Sequence, residues 1–156
     1  MINQPTRILF ATNQPMFVLG FRDVLRLAGF DAEPVMRCPQ DAFAALRGDD
    51  AWLIFADARH APAFVTLAQA VRHSPQSRFI LCGSAIAPEM LQIAVDSRMH
   101  GVLSTDLPIE EAAEALARIW QGERQFRFGD GRACHTPLPP PACADFDADW
   151  MFGLAV

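Results

Sequence analysis

The chain has 156 residues, 51% of them hydrophobic, and a formal net charge of −5. That length suits one domain with a full core and is short for two. The acidic balance, with an isoelectric point near 5.2, argues against a broad electrostatic grip on nucleic acid. No apolar run approaches the roughly 20 residues of a membrane span. The N-terminal MINQPTRILF lacks the basic and apolar regions of a signal peptide, so a cytoplasmic location is expected.

Strand-like and helix-like blocks alternate from Arg7 to Gly122. Arg7–Thr12 (RILFAT) is a short apolar run of the kind a doubly buried parallel strand needs. Pro15 opens a helix, where a missing N–H costs nothing. Phe17, Phe21, Val24, Leu25 and Ala28 line its apolar face, and Gly29 stops it. A weak strand is predicted over Phe30–Val35, with Pro34 marking an edge or an end. A short helix follows over Pro39–Arg47, burying Ala42, Phe43 and Leu46.

Trp52–Ala56 (WLIFA) is the strongest strand signal and delivers Asp57 at its C-terminal end. Ala63–His73 reads as a helix, Arg78–Cys82 as a buried strand ending at Gly83 and Ser84, and Pro88–Arg98 as a further helix. Gly101–Ser104 is the fifth strand, and Pro108–Gln121 is the last helix, with Gly122 as its stop. Five strands alternating with five helices predict a doubly wound α/β fold with a parallel sheet. Right-handed crossovers favour the flavodoxin-like order 2-1-3-4-5, with a crevice at the C-terminal strand ends. Those ends are Thr12-Asn13, Asp57, Gly83-Ser84 and Thr105. Residues 1–123 thus form the domain. The proline-rich segment 124–156, ending in DFDADWMFGLAV, reads as an irregular linker or docked tail.

The segment GVLSTDLPIEEAAEALARIWQGE (residues 101–123) resembles the last strand and helix of a bacterial response-regulator receiver domain. The closest likeness is to the CheY-like receivers of NarL/LuxR-type regulators. TNQPMFVLGFRDVL is similar to the receiver's first loop and helix, WLIFADAR to its phosphoacceptor strand and FILCGSA to its fourth strand. The resemblance covers about residues 7–123. It implies that Asp57 is the phosphoacceptor position, but the surrounding pattern departs from the family. The two acidic positions of the first loop fall on Thr12 and Asn13, and the phosphate-binding lysine falls on Thr105. The hydroxyl position falls on Gly83, with Ser84 one place on, and the aromatic switch position falls on Val102.

Such a site should hold Mg²⁺ weakly or not at all, because the ion favours several anionic oxygens. No other cofactor is expected. Without lysine and Mg²⁺ a transferred phosphoryl group loses most of its electrostatic stabilisation. The structural alternative for Asp57 is a strand-end carboxylate, solvated or paired with nearby Arg59. No metal module is expected, since Cys38, Cys82, Cys134 and Cys143 lack paired Cys-x-x-Cys spacing, even with His135 beside Cys134. A Ser84/His60/Asp57 triad lacks the nucleophile-elbow context, so no enzyme activity is expected. His73 and His100 read as surface or capping residues.

The resemblance implies a module acting through protein contacts, as a homodimer or with another signalling protein. Met90, Leu91, Val102 and Trp120 are the candidate interface residues; a core role is the alternative for Met90, Leu91 and Trp120, and is favoured for Trp120. No nucleic-acid or membrane contact by the chain itself is expected. Two alternatives remain. Asp57 is still phosphorylated, or the chain is the receiver half of a DNA-binding regulator whose helix-turn-helix is not in this sequence.

Overall fold

In the computed structural model, which describes residues 5, 7–42, 51–59, 74 and 76–128, a parallel sheet organises the chain. Its strands are β1 (Arg7–Ala11), β2 (Pro34–Arg37), β3 (Trp52–Asp57), β4 (Arg78–Gly83), β5 (Gly101–Ser104) and β6 (Gln125–Arg127). They lie in the order β2-β1-β3-β4-β5-β6, and each neighbouring pair is parallel. The described helices are α1 (Pro15–Leu27), α2 (Pro39–Ala42), α3 (Pro88–Asp96) and α4 (Ile109–Trp120). The helix expected over Ala63–His73, and the end of the one expected over Pro39–Arg47, lie outside the described residues.

The two-residue period of the strands divides the core between the faces of the sheet. Ile8 and Phe10, Leu53 and Phe55, and Ile80 and Cys82 face α1 and α4. Leu9 and Ala11, Ile54 and Ala56, and Phe79 and Leu81 face the layer that contains α3. On the first face the Phe10 and Phe55 rings stack with centroids 4.5 Å apart, and Phe21 of α1 lies 5.6 and 5.1 Å from them. This aromatic group fixes α1 over β1 and β3.

Both long helices on that face end in the same way. Gly29 at φ +88° follows α1, and Phe30 N–H returns to Leu25 O at 3.0 Å. Gly122 at φ +103° follows α4, and Glu123 N–H returns to Arg118 O at 3.0 Å. These are Schellman stops, which need a left-handed residue that glycine adopts without strain.

Three expectations are corrected. The second strand begins at Pro34 rather than Phe30, because Phe30 completes the α1 stop and buries its ring edge-on to Trp120. The sheet has six strands, not five, because residues past Gly122 turn back along β5. In β6, Phe126 is buried opposite Val102. A Cβ at Gly101 would collide with Ile119 of α4 and crowd Gln125 O, so glycine lets helix and strand close on β5.

His100 is also not a surface residue. Its half-buried ring accepts the Phe79 backbone N–H at Nδ1, 3.1 Å away, which requires neutral imidazole. Burial, reinforced by the Arg78 and Arg124 charges, lowers its pKa to about 4. The folded value lies below the unfolded one near 6.5, so this stabilisation is present above pH 6.5 and is lost as pH falls toward 4. Urea unfolding measured across that window should show falling stability, and His100→Gln should flatten the slope.

Candidate functional site

The parallel register brings the C-terminal strand ends to one level. Ala11 pairs with Ala56, Asp57 with Cys82, and Gly83 with Ser104. Just beyond Ala11, Thr12 is fully buried and its hydroxyl donates to Asp57 Oδ2 at 2.9 Å. Gln14 N–H in turn donates to Thr12 Oγ1 at 3.1 Å, which ties the start of α1 to the same carboxylate.

Arg59 provides the rest of the shell around Asp57. Its backbone N–H and Nε donate to Oδ1 at 3.1 and 2.9 Å, and Nη2 donates to Oδ2 at 2.6 Å. Nη1 reaches Gln14 Oε1 at 2.7 Å, and the guanidinium lies 5.8 Å from the centre of the Phe17 ring. Such a forked arrangement is the strong form of an arginine–carboxylate pair. Burial alone would raise the Asp57 pKa. The hydrogen bonds from Arg59 side chain and backbone and from Thr12 together outweigh it and hold the carboxyl below its usual value. The same pairing raises the Arg59 pKa. Behind Asp57, burial and the carboxylate charge push the Cys82 thiol well up, so it stays protonated.

Above this pair lies a cleft of about 480 Å³. Its polar end carries Arg59, Ser84 and Thr105, and its apolar wall is built from Phe17 and Phe21 of α1 with Leu107 and Ile109 at the start of α4. Among the described residues Asp57 and Arg59 are the charged ones in its lining, and their charges balance. No group of three or more His, Cys, Asp or Glu residues suited to a metal ion occurs among the described residues.

The sequence-predicted positions Thr12, Asp57, Gly83, Ser84 and Thr105 therefore converge. Asn13 is exposed beside them and does not line the cleft. The interface set is corrected in part. Met90 and Val102 are buried in the core because α3 packs its apolar face on the sheet, while Leu91 and Trp120 are half-buried. His60, His73, Cys134, His135 and Cys143 lie outside the described residues. Gln14 was not singled out from the sequence, and nothing in its local pattern marks a contact with Arg59 across 45 positions.

No family model matches the sequence, and no curated protein does. Solved structures do match. The receiver domain of RcsB from Salmonella enterica serovar Typhimurium, determined with the phosphomimetic BeF3−, aligns at a TM-score of 0.63 and 16% identity. That alignment covers 80% of this chain and 94% of that one. The fold is that of a response-regulator receiver domain. A LuxR-family DNA-binding response regulator from Silicibacter pomeroyi aligns at 0.62 and 22% identity, covering 78% of this chain and 96% of its own. A putative pilus assembly protein (cpaE) from Burkholderia thailandensis aligns at 0.60 and 18%, covering 74% and 98%. In addition, no helix among the described residues is long and apolar enough to cross a membrane.

Arg59→Ala should leave Asp57 buried with part of its shell gone. At neutral pH the expected loss of stability is about 1–3 kcal/mol, less than the roughly 3–5 kcal/mol of breaking a fully buried pair because the arginine is half exposed. Carboxyl ¹³C titration should show the Asp57 pKa rising, and the deficit should shrink in acid as the carboxyl becomes neutral.

Proposed function

We propose that this chain is an atypical receiver acting in signal transduction or transcriptional regulation through protein contacts, with conventional Mg-dependent aspartyl phosphorylation lost or weak. One observation carries the reading: both oxygens of the Asp57 carboxylate are already engaged, by Arg59 and by the buried Thr12 hydroxyl. An incoming phosphoryl group would have to displace the guanidinium from a buried carboxylate. The donors also do not fit Mg²⁺, which dehydrates reluctantly and favours several anionic oxygens. Among the described residues Asp57 is the one carboxylate lining the cleft, and its neighbours Thr12 and Asn13 are neutral.

Gly83 supports the same reading. A Cβ there would stand 2.9 Å from Ala58 Cβ and 3.3 Å from Ile86 Cγ1, tighter than side chains normally approach. Serine or threonine at this position would therefore require the β3 and β4 ends to move apart. The positive charge that the receiver resemblance places at Thr105 comes instead from Arg59, which neutralises Asp57 itself. The site holds a closed ion pair where a working receiver needs a reactive carboxylate. Titration of the chain with Mg²⁺ and beryllofluoride, followed by amide NMR, should give no saturable shifts at Asp57, Ala58 or Thr105. Saturable shifts there would establish Asp57 as a working acceptor and overturn this reading.

The partner is a second copy of the chain or another signalling protein. The contact surface is the outward face of α1, where Leu19 and Leu27 are 50% and 58% exposed. These residues and Asp23 share one side of the helix by their four-residue spacing. Elution volume should depend on concentration, and Leu19→Arg with Leu27→Arg should shift the monomer–dimer midpoint at least about tenfold. An unchanged midpoint would remove α1 from the interface.

A further inference from the structure

We infer that the cleft between the Asp57–Arg59 pair and the α1–α4 wall is a binding site for an uncharged amphipathic small molecule. The ligand would have an apolar body and a hydroxyl or amide head. Three features of the cleft point there independently. First, its size: about 480 Å³ falls within the range of small-molecule pockets. Second, its charge: the carboxylate and guanidinium at its floor cancel each other, and both are engaged in short hydrogen bonds. An anionic head would have to draw Arg59 away from a buried carboxylate, and a cationic head would have to replace it. A neutral head needs neither, because the neutral polar residues Ser84, Thr105 and Gln14 also line the cleft.

Third, Gly20 stands in the middle of α1, on the cleft lining. A glycine in a helix interior costs stability, which is normally offset where another part of the chain needs the space. Here a Cβ at position 20 would meet nothing within 4 Å among the described residues. The backbone φ is ordinary, so no turn requires glycine. The missing side chain keeps the apolar wall open beside Phe17, Phe21 and Val24, which is what the body of a ligand requires.

The inference rests on the closed Asp57–Arg59 pair of the proposed function, but its test does not use phosphomimetic or metal. The full chain is titrated with 4-phenylbutan-1-ol, 4-phenylbutanoate and 4-phenylbutylammonium, three probes with the same body and different heads, while amide NMR is recorded. The alcohol should produce saturable shifts at Gly20, Phe21, Ser84 and Leu107, and both charged probes should bind at least about tenfold more weakly. Gly20→Leu, which adds a good helix former into open space, should retain or raise the thermal midpoint and abolish the shifts. Thr105→Val, at an exposed position, should weaken the alcohol and provides a second variant. Absence of saturable shifts with the alcohol, or preference for the carboxylate, would overturn the inference. So would a Gly20→Leu variant that binds normally, or one that changes only the elution volume, which would assign Gly20 to a helix–helix contact. If the separate beryllofluoride titration gives binding while the alcohol also binds, the reading that phosphorylation is lost fails and the cleft stands.

Discussion

A carboxylate placed at the end of a strand buried on both faces has to be paired, and this requirement shapes the whole upper rim of the sheet. Asp57 follows five buried residues of β3 and is itself 2% exposed. An unpaired charge in that position would either protonate or destabilise the fold. Arg59 meets it from two residues downstream and Thr12 from the neighbouring strand. Through Gln14, the same network anchors the N-terminus of α1. The loop after β3, the end of β1 and the start of the first helix are thereby held to a single group.

That arrangement closes an ion pair at the strand end that carries the acceptor in the receiver fold. A receiver's acceptor is useful because its environment changes when a phosphoryl group arrives. Around Asp57 the compensating charge is covalently part of the chain and lies 2.6 Å from the carboxylate. The rim can still vary in what sits above the pair, and the cleft between α1 and α4 is where such variation would be felt. Its walls belong to the two helices that end in Schellman stops and pack on the same aromatic group. A change in their separation would be transmitted to Phe21, and from it to Phe10 and Phe55 in the middle of the sheet.

Much of this was legible in the sequence, and the reasons differ from place to place. WLIFAD and RFILCG are continuous apolar runs of strand length, so β3 and β4 could hardly be anything else. Gly29 and Gly122 marked both helix ends correctly because left-handed stops demand that residue. The convergence of Thr12, Asp57, Gly83 and Thr105 followed from topology alone, since parallel strands end on one side. β6 escaped because three residues with one buried side chain carry little periodic signal. The alternation of Phe126 and Phe128 before the prolines was the available hint. Met90 and Val102 were offered as contacts because helix and strand positions suggest a surface only when the packing face is known. The pairing of Asp57 with Arg59 was open to the sequence because the two stand two residues apart, whereas the reach of Arg59 to Gln14 depends on side-chain geometry that spacing does not encode.

The direction of β6 has a geometric consequence. Because it runs parallel to β5, the chain leaves the sheet at the same end as Ser104, on the side where the cleft opens. Three strand spacings, roughly 14 Å, separate its line from that of β3. Residue 128 therefore stands at the rim that carries the cleft rather than at the opposite end of the sheet. The added strand thus sets which end of the sheet the described chain finishes on.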